Sequence, residues 1–242
     1  MNKFSKADLH IHTQESKDAF STPFKILKYL KNKTDIKITA ITDHNTLKGA
    51  EEALSLASYF DLEVIKGEEI DTKEGHLLGL FLEEEIKPFY SAKEVISEIH
   101  RQGGLVIIPH PNGLLNSFST SDILKVMEEI EGIEIQNPTW IARIGRMKNH
   151  SFNLGGLAEV GGSDAHLLSH IGKSYTIFKG EGKEELRSSI KKGLTLMAGE
   201  NWNFTDHFFY LTNYIKNGLS YSVKTKIVQK LALIKEILKY DI

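Results

Sequence analysis

Two histidines separated by one residue lie near the start of the chain, in the segment Asp8-Leu9-His10-Ile11-His12-Thr13. Alternate residues of an extended strand point to the same face, so His10 and His12 project together, with Asp8 on that side. Two neighbouring imidazoles at the end of a strand can bind one divalent metal ion. The pair alone is a weak signal, because histidines at this spacing also occur by chance.

Further potential metal ligands recur along the chain, each beside a short apolar segment. They are Asp43, His44, Glu68, His76, His110, Asp164 and His166. In parallel α/β folds, functional groups collect at the carboxyl ends of the strands, where such residues can converge. Burying several imidazoles and carboxylates together is costly unless metal ions compensate them. The pattern therefore favours a metal centre over polar packing.

The composition is that of an ordinary folded protein. The chain has 242 residues, of which 40% are hydrophobic and 26% charged, and this size suits one substantial domain. A net charge of −2 argues against a surface that coats nucleic acid. The absence of cysteine excludes disulfides and thiolate zinc sites. The chain leads directly into the histidine pair and has no apolar run of membrane-spanning length, so we expect no signal peptide, no membrane association and a cytoplasmic location.

Short apolar segments alternate with helical patterns, which predicts a sheet of mainly parallel strands covered by helices. A capping-box spacing at 91–94 predicts the start of a helix, and Gly103-Gly104 its end. Two prolines around His110 predict a rigid loop that holds one imidazole at a strand end. The predicted strands cover residues 7–12, 36–42, 62–65, 76–81, 105–108, 132–135, 157–160 and 174–178, the last of which we expect to close the set.

These segments resemble the motifs of the PHP family, named for polymerase and histidinol phosphatase, over most of residues 7–178. Residues 8–13 match the first motif, and Ile41-Thr42-Asp43-His44-Asn45-Thr46 matches the second. The others follow in order: Gly67-Glu68-Glu69-Ile70, the strand at His76, Pro109-His110-Pro111 and Gly162-Ser163-Asp164-Ala165-His166. The resemblance implies an α/β fold, a distorted (βα)7-type barrel with up to three metal ions at the carboxyl ends of its strands.

The resemblance also implies three sets of ligands for two or three divalent ions. The first set is His10, His12, Glu68 and Asp164. Glu68 would bridge to a second ion bound by His76 and His110, and a third ion would be bound by Asp18, His44 and His166. The spacing of that loop varies between relatives. In the alternative register, Lys17 would take the position of Asp18. Mixed imidazole and carboxylate ligands suit zinc, manganese or iron without choosing between them.

The implied activity is hydrolysis of a phosphate ester by a hydroxide held between two metal ions. Glu68 would then be central to catalysis. Asp43 and Asp8 are expected to orient metal-bound imidazoles, and either His166 or water on the third ion to help the leaving oxygen depart. Arg143 and Arg146, which follow the strand at 132–135, are candidates for binding the substrate phosphate. A solvated helix face explains these arginines equally well.

We expect the substrate to be a small phosphorylated metabolite or nucleotide. The alternatives are a 3'-5' exonuclease or oligonucleotide phosphoesterase, an amidohydrolase-type hydrolase, and a non-catalytic metal-binding regulatory module. The near-neutral charge gives little support to a long nucleic-acid groove, so no stable nucleic-acid complex is expected. The loop at His110 and the Asp164–His166 pair argue against the amidohydrolase, and intact ligand positions argue against the regulatory module. The oligomeric state is left open.

The chain changes character after residue 198. We assign residues 1–198 to the phosphoesterase domain and 199–242 to a helical C-terminal extension. Its apolar residues Ile227, Leu231, Ile234 and Leu238 recur at helical spacing. Such a helix could bind a membrane surface or a partner protein. We favour a helix that packs on the barrel or on a second subunit.

Overall fold

The structure, a computed structural model, describes residues 3–113, 116–139 and 155–218. Nine strands form one sheet within these residues: β1 Phe4–Asp8, β2 Ile38–His44, β3 Glu63–Asp71, β4 His76–Leu80, β5 Leu105–Ile108, β6 Gly132–Gln136, β7 Ala158–Gly161, β8 Ser174–Lys179 and β9 Thr195–Gly199. The helices are α1 Pro23–Lys33, α2 Lys48–Phe60, α3 Ala92–Arg101, α4 Thr120–Val126, α5 Gly182–Lys191 and α6 Phe204–Gly218.

The sheet has the strand order β7-β6-β5-β4-β3-β2-β1-β8-β9. Four neighbouring pairs are parallel, whereas β4 runs antiparallel to β3 and β5, and β8 runs antiparallel to β1 and β9. The two ends of the sheet approach each other, since the Thr195 hydroxyl donates to the carbonyl of Glu159 and the Gly161 N–H to the hydroxyl of Thr176. The predicted distorted α/β barrel is confirmed, with a sheet that is mixed rather than mainly parallel.

The barrel interior is apolar along most of its length. Residues from β1 to β5, β7 and β8 meet in one inner cluster, to which α5 adds Leu186 and Ile190. Two further clusters lie between the sheet and the covering helices, one with α1 and α2 and the other with α3 and α4. Successive side chains of a strand point alternately to the interior and to the covering helices. Whether a residue faces the interior therefore depends on its odd or even position in the strand.

Local signals account for several element boundaries. Thr22 caps α1, with Pro23 in the first turn, and Ser91 and Glu94 form the predicted capping box of α3. The third strand is longer than predicted, since β3 continues to Asp71. The prediction that the strand at 174–178 closes the set is wrong, because β9 pairs with it.

The chain divides into two compact units, residues 1–202 and 203–242. In the second unit, Asn203 and Asp206 exchange hydrogen bonds at the start of α6, because the Asn203 N–H donates to Asp206 and the Asp206 N–H to Asn203. Packing of the extension on the barrel or on a second subunit stays a prediction. Among the described helices, none is long and apolar enough to cross a membrane.

Candidate metal centre

Among the described residues, six histidines and four carboxylates converge where the carboxyl ends of β2, β3 and β5 meet the loops after β1 and β7. Their nitrogen and oxygen atoms approach closely enough that five groups of three residues could each bind a metal ion. The Nε2 atoms of His10 and His12, for example, lie 3.1 Å apart. The residues of the cluster are His10, His12, Asp18, His44, Glu69, Asp71, His76, His110, Asp164 and His166.

The His10–His12 segment follows β1 rather than lying within it. It still runs extended, because Ile11 forms an isolated parallel bridge with Ala165 and the His12 N–H donates to the Ala165 carbonyl at 3.0 Å. This pairing places both imidazoles beside Asp164, and the His12 ring stacks on the ring of His166. The predicted convergence of the first and last ligand motifs therefore arises from backbone pairing between the two loops.

The carboxylate of Glu69 lies at the centre of the cluster and is 1% exposed. Its Oε2 is 3.3 Å from His10 Nε2, 3.2 Å from His12 Nε2 and 3.3 Å from His44 Nδ1. Its Oε1 is 2.8 Å from His76 Nδ1 and 3.0 Å from His110 Nε2. One carboxylate thus contacts five imidazoles from four segments, as expected of a group that bridges two cations.

Glu68, which the sequence suggested as the bridging ligand, does not lie in the cluster. Its side chain is fully buried on the other face of β3, where Oε2 accepts the N–H of Ile86 at 3.1 Å. The prediction placed residue 68 in a loop after a short strand. Because β3 continues to Asp71, strict alternation applies, and Glu69 and Asp71 face the histidines while Glu68 and Ile70 face the outer layer.

The two aspartates predicted as ligands do lie among the imidazoles. Asp164 Oδ1 is 3.6 Å from His10 Nε2, 3.4 Å from His12 Nε2 and 3.5 Å from His166 Nδ1. Asp18 Oδ2 is 3.3 Å from His166 Nε2 and 3.9 Å from His44 Nε2. Asp18 rather than Lys17 therefore faces the cluster, together with the two histidines that the resemblance assigned to the same ion.

Nδ1 of His44 and of His76 faces Glu69, whereas the other four histidines have a different polar partner beside Nδ1. These contacts are His10 with Glu134 Oε1 at 3.1 Å, His12 with Ser16 Oγ at 3.1 Å, His110 with Ser117 Oγ at 3.0 Å and His166 with the Asp164 carbonyl at 2.9 Å. A partner at one ring nitrogen fixes the ring orientation and the position of the proton. In all four residues this arrangement leaves Nε2 for the carboxylates of the cluster or for a metal ion.

Asp43 and Asp8 contact no imidazole, contrary to the prediction that they orient the rings directly. Asp43 accepts hydrogen bonds from the Thr13 N–H at 2.6 Å, the Thr13 hydroxyl at 2.7 Å and the Ser16 hydroxyl at 2.7 Å. Asp8 accepts the N–H groups of Ser163 and Gly172, each at 2.9 Å. Both carboxylates are used to fix loops, and Asp43 reaches His12 only through Ser16.

Sequence reasoning missed three acidic residues of this region. Glu69 and Asp71 share a face of β3, and Asp71 Oδ1 lies 2.8 Å from His76 Nε2. Glu134 lies between Ile133 and Ile135, and that alternation was a signal for an inward-facing acid in β6. By contrast, nothing in the local sequence indicates that Ser16 would connect Asp43 to His12.

The carboxylates strongly favour positive charge on the surrounding imidazoles. Burial disfavours the imidazolium of His12, but hydrogen bonds with Asp164 and Glu69 outweigh burial and raise its pKa to about 9. Burial likewise opposes charge on His76, yet Glu69 and Asp71 raise its pKa to about 10. For His10, the attraction of Asp164, Glu69 and Glu134 exceeds the effect of burial, and its pKa is well above the usual value.

Burial and neighbouring charges also set the pKa values of the other groups in the cluster. Burial would raise the pKa of Glu69 and of Asp164, but the surrounding histidines hold both well below their ordinary values. His44 is the exception, because burial lowers its pKa to about 4 despite the attraction of Glu69. Without a metal ion, the carboxylates thus favour protonated imidazoles at His10, His12 and His76.

The donor set fits divalent metal ions. The Nε2 atoms of His10 and His12 point at each other and at two carboxylates, an arrangement that a shared cation would stabilise. In addition, the buried Oδ1 of Asp18 has no hydrogen-bond partner among the described residues. Imidazole nitrogens combined with carboxylate oxygens suit zinc, manganese and iron. Arg143 and Arg146 lie outside the described residues, as does most of the segment 138–150.

Comparisons with known proteins identify relatives of this chain in sequence and in fold. A family profile described as PHP-associated matches residues 155–195. An uncharacterised protein of Methanocaldococcus jannaschii is 41% identical over 54% of this chain and 81% of its own length. A second uncharacterised protein of that organism is 31% identical over 72% of this chain and 70% of its own length.

Solved structures share the fold at low sequence identity. A two-domain Bacteroides vulgatus protein containing a predicted PHP-like metal-dependent phosphoesterase has a TM-score of 0.66 at 16% identity, over 88% of this chain and 70% of that one. A lesion-specific endonuclease of Pyrococcus furiosus has a TM-score of 0.56 at 17% identity, over 81% of this chain and 59% of that one. With its motifs in order, its barrel and its histidine cluster, the chain belongs to the PHP family.

Proposed function

We propose that this protein is a metal-dependent phosphoesterase that hydrolyses a phosphate ester of a small metabolite or nucleotide. The observation that carries the proposal is the position of Glu69, whose single buried carboxylate contacts five imidazoles. A purely structural carboxylate needs far fewer partners. A group that bridges two closely spaced metal ions would occupy such a position.

The ligand sets follow from the contacts of each carboxylate. His10, His12, Glu69 and Asp164 would bind a first ion, Glu69, His76 and His110 a second, and Asp18, His44 and His166 a third. When bound, such ions supply an activated water molecule and offset the negative charge on the phosphoryl oxygens. We propose that the chain binds two or three such ions.

Some side chains of the cluster are buried, and others are partly exposed to solvent. His10 and His12 are buried, whereas the side chains of Asp18 and His44 are each 27% exposed. We infer that the substrate approaches from the side of Asp18 and His44, while the buried histidines exclude bulk water from the opposite side. His166 lies between the two parts, with Nε2 facing Asp18. We propose that His166 passes a proton from Nε2 to the leaving oxygen when the third ion is not bound.

Substrate selection must come from the loops around the cluster, since activated water attacks many phosphate esters. We propose that Arg143 or Arg146 contacts the substrate phosphate. We further propose a compact pocket and no stable nucleic-acid complex, in keeping with the net charge of −2. The fold shared with a lesion-specific endonuclease makes action on an oligonucleotide the second candidate.

The test is hydrolysis of mononucleotides, sugar phosphates and short oligonucleotides by protein loaded with manganese, iron or zinc. We expect activity on the small esters and its loss in Glu69→Gln, but not in Glu68→Gln. Cleavage of oligonucleotides alone, unchanged in Arg143→Ala and Arg146→Ala, would show that the small-substrate proposal is wrong. Equal activity of Glu69→Gln and the wild type would contradict the proposed centre.

A further inference from the structure

Glu134, in β6, lies at the centre of a buried hydrogen-bond network behind the metal ligands. Its side chain is 2% exposed. Oε1 lies 3.1 Å from Nδ1 of His10, and Oε2 accepts the backbone N–H of His110 at 3.0 Å. Oε2 also accepts the side-chain amide of Asn137 at 2.7 Å. One carboxylate thus contacts two candidate ligands without facing the site where a metal ion would bind.

The network extends to a third ligand. The same amide of Asn137 lies 3.3 Å from Oδ2 of Asp164. His10, His110 and Asp164 follow three different strands, yet their ligand atoms lie within 4.8 Å of one another. Glu134 and Asn137, three residues apart at the end of β6, are the groups that connect all three.

Among the described residues, no lysine or arginine lies beside the carboxylate of Glu134. Its contacts are an imidazole, a backbone N–H and a side-chain amide. A buried carboxylate is costly unless donors and a nearby cation compensate it. Donors are present here, and the natural place for the cation is on the far side of the His10 ring.

A glycine makes this arrangement possible. A Cβ atom at Gly162 would overlap Oε1 of Glu134, and it would lie 2.5 Å from the Cβ of His10. Gly162 precedes Ser163 and Asp164 in the last ligand motif. The contact between Glu134 and His10 therefore depends on a position that must lack a side chain.

We propose that Glu134 is a positioning residue that accepts the Nδ1–H of His10 and so leaves Nε2 free to bind metal. Through its second oxygen it also holds the backbone of His110, whose φ of 32° lies in the left-handed region that a non-glycine residue rarely adopts. This role rests on the proposed metal centre. It adds a residue outside the ligand sets that the resemblance implies.

Glutamine in place of Glu134 should disturb the ring rather than the fold, because the two side chains have the same shape. Its single carbonyl oxygen can serve His110 and Asn137, which leaves the amide group facing His10. An amide donor at Nδ1 favours the tautomer with the proton on Nε2, the atom that should bind metal. We expect Glu134→Gln to weaken the tightest Co²⁺ site by about 10–100-fold.

Glu131 provides a matched control from the residues just before β6. Its carboxylate accepts the backbone N–H of Val106 at 2.7 Å and lies 3.2 Å from Nε2 of His100, so it also joins a backbone N–H to an imidazole. These contacts involve none of the metal ligands. Glu131→Gln should therefore leave Co²⁺ binding unchanged.

The experiment titrates Co²⁺ into the metal-free full chain, followed by calorimetry and by the visible spectrum of the bound ion. We expect weaker binding and an altered spectrum in Glu134→Gln, and a similar change in Gly162→Ala, which displaces the carboxylate. Wild-type affinity and spectrum in Glu134→Gln, or an equal loss in Glu131→Gln, would overturn the role of Glu134. A wild-type chain that binds no Co²⁺ would instead overturn the proposed metal centre.

A measurement on the wild type keeps the proposal testable even if these variants do not fold. In protein labelled with ¹⁵N-histidine and loaded with Zn²⁺, the ring nitrogens of His10 report which atom carries the proton. We expect the proton on Nδ1 and the metal on Nε2. Metal binding through Nδ1 would overturn the proposal.

Discussion

Glu68 and Glu69 are consecutive residues of β3 whose carboxylates lie on opposite faces of the sheet. Glu69 contacts five imidazoles, whereas Glu68 accepts one backbone N–H beneath the loop that contains Ile86. Histidines hold the pKa of Glu69 well below its ordinary value, while burial raises the pKa of Glu68 to about 8. Two chemically identical neighbours therefore form a matched pair for experiments.

The first prediction compares these neighbours as potential ligands. Glu69→Gln should lose at least one bound metal ion per chain, because an amide cannot replace a carboxylate that would bridge two cations. We expect kcat/KM to fall by at least about 100-fold, since loss of even an outer partner of a ligand costs 10–100-fold. Elemental analysis and phosphatase kinetics measure both effects. Glu68→Gln is the control, and equal losses in the two variants would contradict the assignment.

The second prediction concerns stability. The pKa of Glu68 is about 8 in the folded chain, against an ordinary value of 4.5. As the pH rises between these values, the unfolded chain releases this proton while the folded chain keeps it, so the contribution to stability falls. Glu68→Gln removes that loss and should stabilise the metal-free protein at pH 8 by about 1–4 kcal/mol.

Thermal unfolding of the metal-free protein between pH 4.5 and 8 measures this effect. The melting temperatures of Glu68→Gln and the wild type should differ little at the acidic end and diverge as the pH rises. A difference that stays constant across the range would show that Glu68 does not titrate in this window.

The sequence was sufficient to predict most of the candidate site. His10 and His12 were recognisable from their spacing, and the other ligand motifs from their positions after apolar segments. The choice between Glu68 and Glu69 failed because the length of β3 decides which of two adjacent residues faces inward. That length depends on pairing with β2 along seven residues and with β4 along five, which no local signal shows.

The contacts that residues behind the ligands make were harder to predict from the sequence. Ser16 joins Asp43 to His12 across residues distant in sequence, and this contact exists only once the loop after β1 has folded. Glu134 could have been identified from its alternation with two isoleucines. The direction of β4 was missed because an apolar segment shows no strand direction, and β9 was missed because only Thr195 of its five residues is buried.

The third prediction is that metal affinity rises steeply with pH. In the metal-free protein, the pKa of His12 is about 9 and that of His76 about 10, so at neutral pH both rings carry protons that a metal ion must displace. Affinity for Mn²⁺ should therefore increase between pH 6.5 and 8.5, by up to about tenfold per pH unit for each proton released. Calorimetry in buffers of different ionisation enthalpy counts these protons, and a pH-independent affinity with no proton release would contradict the prediction.

The fourth prediction ranks the ligands by the number of cations that each can touch. Glu69 contacts histidines assigned to all three ions, whereas Asp18 contacts two of the described histidines, His44 and His166. Asp18→Ala should therefore lose at most one ion per chain and retain those bound through Glu69. We expect its kcat/KM to fall by less than that of Glu69→Gln.

Lys17→Ala provides the control for this ranking, because Lys17 is exposed, adjacent to Asp18 and in the alternative register of the same loop. Metal content and kinetics at saturating metal should be unchanged in Lys17→Ala and intermediate in Asp18→Ala. If Asp18→Ala removed as much metal and activity as Glu69→Gln, the three ions would bind as one cooperative unit. The separation into a buried pair at Glu69 and a more exposed ion at Asp18 would then be wrong.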